Sequence, residues 1–297
     1  MSEDEIEDHS APLIEHLAEL RTRLIRSVLA FVAGMVIMFT VAEPSLEFIS
    51  QPLADVLRAR GEDARLIFTA PQEKFFVLIR ISVIAGFAIS FPVIAHQLWR
   101  FVAPGLYKTE KNAFLPFLIA SPLLFLLGAA FAHFIVTPLA MNFFIGFSDA
   151  IPALANLIAG EGEFQPSAPS QELQTVFLGS VRESLDLALK FIFAFGLCFQ
   201  LPVLLTLMGK AGLVSAAGLR DVRKYAIVGI LVVAALVTPP DVVTQLILFS
   251  AVYGLYEISI FLVAMVEKKR KERLKAEGLW DEDEADEAPA KDAAKKE

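Results

Sequence analysis

The sequence predicts an all-α integral membrane protein with six transmembrane helices and both termini cytoplasmic. Three observations carry that prediction. Of 297 residues, 56% are hydrophobic and 25 are Phe, above the apolar share of about 45–50% usual in soluble chains, and the mean hydropathy is +0.59. Six runs approach the roughly 20 apolar residues that a helix needs to cross a bilayer core. The charges gather outside those runs: of a net charge of −8, the first ten residues carry −5 and residues 267–297 carry −2. Strands of a membrane barrel would alternate apolar and polar residues, whereas stretches such as 114–131 are apolar on every side.

The runs lie at about 24–42, 75–99, 113–145, 187–208, 225–238 and 242–266. They divide the chain into an acidic N-terminal tail (1–10), a six-helix body (11–266) and a charged tail (267–297) expected to be disordered beyond Leu279. Ahead of the first run, Leu13, Leu17, Leu20 and Leu24 form one stripe of an amphipathic helix suited to the membrane surface. Arg21, Arg23 and Arg26 precede that run and no small-residue cleavage pattern follows it, so it reads as a retained span. The third run, about 33 residues or roughly 50 Å of helix, exceeds the bilayer and has bending points at Pro116, Pro122 and Pro138. Residues 149–175, rich in Pro, Gly, Ser and Gln, read as a loop.

The fifth run, about 14 residues or roughly 21 Å, stops at Pro239, Pro240 and Asp241. It falls short of an undeformed bilayer unless its ends are longer or the membrane thins there. Orientation follows from Lys and Arg. They cluster before the first span, after the second (Arg100, Lys108, Lys111), after the fourth (Lys210, Arg220, Arg223, Lys224) and after the sixth (Lys268–Lys271, Arg273, Lys275), on what is then the cytoplasmic side.

Composition also excludes. No basic excess outside one short cluster supports nucleic-acid binding. One Cys, Cys198, allows no intrachain disulfide, and His9, His16, His96 and His133 lack ligand spacing. No Gly-rich phosphate loop or nucleophile template is present, so the chain reads as non-enzymatic, without cofactor or metal. Ionisable groups near and within the spans remain as functional candidates. Glu19 and Glu110, brought together on one cytoplasmic patch, would suit a ligand with two guanidiniums, because Arg binds carboxylate in a bidentate geometry. The local alternative for Glu19 is an i, i+4 pair with Arg23, and for Glu110 neutralisation by Lys108 and Lys111. Gln200, Thr238, Gln245, Ser250 and Glu257 are polar groups at membrane depth. Glu257 must sit near the cytoplasmic end, bind a polar partner or be protonated. Arg80 and Lys190 are expected to snorkel toward the outer headgroups, a pair with Glu183 or Asp186 being the competitor.

The stretches PLIEHLAELRTRL, APQEKFFVLIRISVIAGFAISFPVIAHQLWRFVAPGLYKTEKN and TPPDVVTQLILFSAVYGLYEIS resemble the TatC family, subunits of the twin-arginine protein translocase, over about residues 11–266. The resemblance implies a multi-pass protein of the cell inner membrane that binds twin-arginine signal peptides. With single-span TatA- and TatB-type partners it would move folded proteins across the membrane on the proton motive force. It places signal-peptide recognition on Glu19 and Arg21 of the ELR motif, on Phe101 and on Glu110. Partner docking falls on Thr238, Gln245, Gln200 and Pro52, the last in an outer loop that would cap a concave face, within a hetero-complex that also contains further copies of the chain. Position 200 departs from the family pattern, which has Glu there: an amide cannot titrate, so its role must be hydrogen bonding or docking. The competing readings are a proton-coupled small-solute transporter using Glu257, and a structural scaffold.

Overall fold

A computed structural model describes residues 3–61, 63–102, 111–158, 179–238 and 242–276, with side chains from His16 onward except those of residues 99, 102, 111–115, 148–158 and 274. Helix α1 (Glu3–Thr40) runs through both the leucine stripe and the first apolar run. The stripe is therefore not a separate interfacial helix; no proline interrupts residues 13–43. A break at Val41 turns the chain into α2 (Ala42–Ala59), whose first turn accepts Pro44 because an N–H there needs no intrahelical partner. After β1 (Leu66–Ile67), α3 (Glu73–Val102) runs back beside α1.

Next come α4 (Lys111–Phe131), a π-turn (Ala132–Val136) and α5 (Thr137–Ile158). Pro116 and Pro122 leave α4 unbroken, whereas the π-turn sits just ahead of Pro138. Pro138 has no N–H for the carbonyl of Phe134 and its ring crowds that carbonyl, a conflict the wider turn relieves. The helix continues through 149–158, which the sequence reading left in a loop, and residues 159–178 lie outside the described residues.

Strand β2 (Gly179–Ser180) pairs in parallel with β1, Leu66 opposite Gly179. It leads into α6 (Val181–Cys198) and α7 (Leu201–Lys210). The break at Phe199–Gln200 follows from Pro202, which cannot donate to the carbonyl of Cys198 four residues back. Helices α8 (Ala216–Asp221), α9 (Arg223–Val237) and α10 (Val242–Ala276) complete the chain.

Among the described residues, five stretches are long and apolar enough to cross a membrane: His16–Thr40, Glu73–Leu98, Pro116–Phe147, Val181–Lys210 and Val242–Arg273. Helix α9 has 15 residues, roughly 22 Å; it begins two residues before the run marked from the sequence and keeps nearly the same length. The chain divides into two compact units, Met1–Gln200 with Gly229–Val252, and Leu201–Val228 with Tyr253–Glu297. In the larger, rings pack between α3, α4 and α6, with Phe91 stacked on Phe125 at 4.4 Å and Phe87 edge-on to Phe193 at 5.3 Å. In the smaller, the hydroxyl of Tyr256 donates to the carbonyl of Leu219 at 2.6 Å, and Glu267 accepts from the N–H of Ala216 at 2.9 Å.

Candidate functional site

The site is set by how α1 meets α3. Gly34 and Gly86 let the two backbones touch: a Cβ on Gly86 would lie 2.6 Å from the Cα of Met35, and one on Gly34 2.7 Å from the carbonyl oxygen of Gly86. Small residues at such crossings replace side-chain packing by backbone approach. The helices pair in reverse order from that point, with Phe31 near Phe87 and, past the break into α2, Glu43 near Lys74. At one end His16 stacks on Phe101, ring centroids 4.4 Å apart and planes 16° apart. That stack brings two sequence-distant candidates together, because Glu19 is one helical turn beyond His16.

Glu19 is 39% exposed. Its Oε1 accepts from Nε of Arg23 at 2.9 Å and also from Nη2, while Oε2 lies 3.9 Å from Nδ1 of His16. The pair that sequence spacing offered as the local alternative is therefore made. Among the described residues the Arg23 bonds fall on Oε1, which leaves Oε2 facing the imidazole rather than a cation. Arg21 is exposed, and at two residues from both Glu19 and Arg23 it lies on a different face of α1 from their pair. Gln97, one turn before Phe101, buries an Oε1 with no hydrogen-bond partner among the described residues. Glu110 lies outside the described residues. Residue spacing alone did not single out His16; its signal was a position one turn ahead of Glu19.

The remaining candidates occupy separate places. Gln200 and Ser121 bond reciprocally: Nε2 of Gln200 donates to the Ser121 carbonyl at 2.9 Å and Oγ of Ser121 donates to Oε1 at 2.6 Å. Thr238 is buried and donates to the carbonyl of Ala234 at 2.9 Å; Gln245 is half-buried, Ser250 exposed, and Pro52 buried within α2. Glu257 binds polar partners, the first of them Nη2 of Arg223 at 2.6 Å and the second the hydroxyl of Tyr253 at 2.9 Å. Arg80 does not snorkel alone: its Nη1 pairs with Asp186 on α6, the two being 46% and 26% exposed. A second helix within reach outcompetes open headgroups for its guanidinium.

Sequence reasoning also passed over Glu73, which is 5% exposed. One of its oxygens accepts from the N–H and hydroxyl of Thr69 at 2.5 and 2.8 Å and from the N–H of Ala70 at 3.2 Å. The other accepts from Oγ of Ser180 at 3.3 Å and the N–H of Arg182 at 3.2 Å. One carboxylate thus ties the start of α3 to the start of α6, beside the β1–β2 pair. The signal was TAPQE, an acid reaching back to the N–H groups that open its own helix. Nearby, the Lys74 ammonium, bonded at 2.6 Å, holds the Glu43 carboxyl below the usual carboxylate range.

A family profile described as Sec-independent protein translocase protein (TatC) matches residues 15–250. The chain belongs to the TatC family. It is 44% identical over 271 residues to the Sec-independent protein translocase protein TatC of Magnetococcus marinus, covering 91% of this chain and 90% of the relative. Identity to the TatC of Aquifex aeolicus is 42% over 265 residues, covering 89% of this chain and 100% of the relative. For the TatC of Escherichia coli it is 34% over 256 residues, covering 86% and 89%. A crystal structure of the twin-arginine translocase receptor TatC superposes with a TM-score of 0.69 at 39% identity, covering 85% of this chain and 99% of that chain. The chain is therefore a membrane protein of the twin-arginine, Sec-independent translocase, a family of translocase subunits. The matched residues include Glu19, Arg21, Pro52, Phe101, Glu110, Gln200, Thr238 and Gln245; Glu257 lies beyond them.

Proposed function

We propose that this TatC-family chain is the receptor that grips the paired arginines of signal peptides and passes folded cargo to partner subunits. Glu19 and Glu110 hold the two guanidiniums, Phe101 and Arg21 shape the patch, and no enzymatic step or cofactor takes part. The observation that supports this most is the stack of His16 on Phe101. It sets Glu19 beside the end of α3, immediately before the connection that carries Glu110. An incoming guanidinium meets Oε2 directly and competes with Arg23 for Oε1.

In this reading the body, residues 11–266, crosses the cell inner membrane six times with both termini cytoplasmic. The fifth crossing is α9, around which the bilayer thins. TatA- and TatB-type subunits dock at Thr238, Gln245 and Gln200, with Pro52 acting by shaping α2, and further copies of the chain join the hetero-complex. Transport runs on the proton motive force. The transporter alternative asks Glu257 to carry protons, yet that carboxylate is held by Arg223 and Tyr253.

A twin-arginine peptide carrying a photo-crosslinker beside the arginines tests the reading in membranes. Adducts to α1 near Leu17–Leu20 and to the end of α3 near Phe101 are expected. Adducts confined to α9 or α10, or none above a twin-alanine peptide, would defeat it.

A further inference from the structure

His16 sits beside the oxygen that the receptor reading leaves for the peptide. Its ring lies flat on Phe101, centroids 4.4 Å apart and planes 16° apart, so the imidazole is held in place although its side chain is 47% exposed. Nδ1 is 3.9 Å from Oε2 of Glu19, beyond hydrogen-bond range. A neutral imidazole therefore leaves that oxygen open. Protonated, the ring carries an N–H on each nitrogen and a positive charge. The stack keeps that charge beside the carboxylate, because an aromatic face attracts a cation; a histidine free to change rotamer would swing clear. With Arg23 already on Oε1, an imidazolium facing Oε2 gives both oxygens of Glu19 a cation before any peptide arrives.

The other charges on the patch come from both helices. On α1 they are Glu19 itself and Arg23; from α3, Arg100 lies within electrostatic reach of Glu19, and His96 within reach of Arg100 and Arg23. Arginines keep their charge at any working pH, and carboxylates are ionised above about pH 5. Of these groups the two histidines are the ones able to change charge between about pH 5 and 8, and His16 is the one set against the carboxylate.

We propose that His16 is a positioning residue that makes signal-peptide recognition sensitive to protons, a role that rests on the receptor reading above. Neutral, it holds Phe101 and leaves Oε2 to a guanidinium; protonated, it answers the charge of Glu19 and turns the peptide away. Affinity is then full on the alkaline side and falls as pH drops through the histidine range. For groups this exposed a water-like dielectric applies, and a unit charge about 4 Å away changes affinity roughly fivefold. In transport driven by the proton motive force, an acidified cytoplasm marks a diminished gradient, and the receptor then stops loading cargo.

Fluorescence anisotropy of a histidine-free, N-acetylated twin-arginine peptide on the full chain in detergent, at constant ionic strength between about pH 8 and 5.5, tests this. Wild-type affinity should fall about fivefold across that range. His16→Phe keeps a ring against Phe101 but takes no proton, and His16→Gln gives up both; each should show a flat profile, whereas His96→Gln should keep the wild-type slope. A flat wild-type profile with intact binding, a slope that persists in His16→Phe or His16→Gln, or a slope lost in His96→Gln would overturn the proposal and leave the receptor reading standing. Failure of wild type to prefer this peptide over a twin-alanine one on the alkaline side would instead sink the receptor reading, and the role of His16 with it. Should His16→Phe not fold, His16→Gln decides.

Discussion

Replacing Gly86 by Ala tests whether backbone contact between α1 and α3 holds the recognition patch together. The added Cβ would lie 2.6 Å from both the Cα and the N of Met35, and 3.0 Å from the carbonyl carbon of Gly34. Carbon atoms pack best at roughly 3.5–4.0 Å, so the helices must separate by about 1 Å. The obstructing atoms are backbone, and no rotamer change can clear them. Overpacking of this kind costs about 1–3 kcal/mol, against a helix-propensity gain for Ala over Gly of about 0.5–1 kcal/mol. The clash wins, by about 1 kcal/mol at the middle of the two ranges. Gly254→Ala in α10 is the control, since a Cβ there meets nothing within 4 Å and only the propensity gain remains. Thermal unfolding of the purified variants in one detergent should rank Gly86→Ala below wild type and Gly254→Ala at or above it. Loss of peptide binding should accompany the former, because His16 reaches Phe101 only while the helices stay in contact. Gly86→Ala as stable as Gly254→Ala would refute the reasoning.

At the opposite end, Glu73→Gln keeps one acceptor but turns the other oxygen into a donor that faces donors. Limited proteolysis within 63–72 should accelerate almost as much as with Glu73→Ala, and a Gln variant as resistant as wild type would remove the carboxylate's role. Gln200→Leu loses both bonds to Ser121, on the order of 1 kcal/mol, and should weaken assembly with partner subunits while Gln200→Glu is tolerated, as read by co-purification. The Glu43 carboxyl, held low by Lys74, adds stability that is present above the ordinary carboxylate range and lost as pH falls through its folded value. Wild type should therefore exceed Glu43→Gln slightly at neutral pH, the difference closing in acid; a gap that widened in acid would reverse the assigned sign.

The long apolar runs were legible because burial in lipid demands little more than length and hydropathy, and α9 was legible as short because the Pro pair after it marks its end. Helix continuity was less so. The chain breaks at Phe199–Gln200 but not at Pro116 or Pro122, and only the neighbouring helices decide whether a proline bends, breaks or is absorbed by a π-turn. Glu19 stood out by its motif, but its partner in space did not. The stack of His16 on Phe101 depends on two helices crossing at Gly34 and Gly86, a contact without a side-chain signature. Glu73 escaped notice because its partners Ser180 and Arg182 are more than 100 residues away, and Arg80 was assigned to headgroups because the opposing Asp186 belongs to another helix.

The most direct test is the affinity of the full chain for a fluorescent signal peptide with two consecutive arginines, measured beside Glu19→Ala, Glu110→Ala and a twin-lysine peptide. A loss of at least tenfold for each carboxylate variant is expected, with the twin-lysine peptide binding weakly to wild type because an ammonium cannot form the bidentate contact. Wild-type affinity in both variants would contradict the assignment of this end of the molecule as a guanidinium receptor.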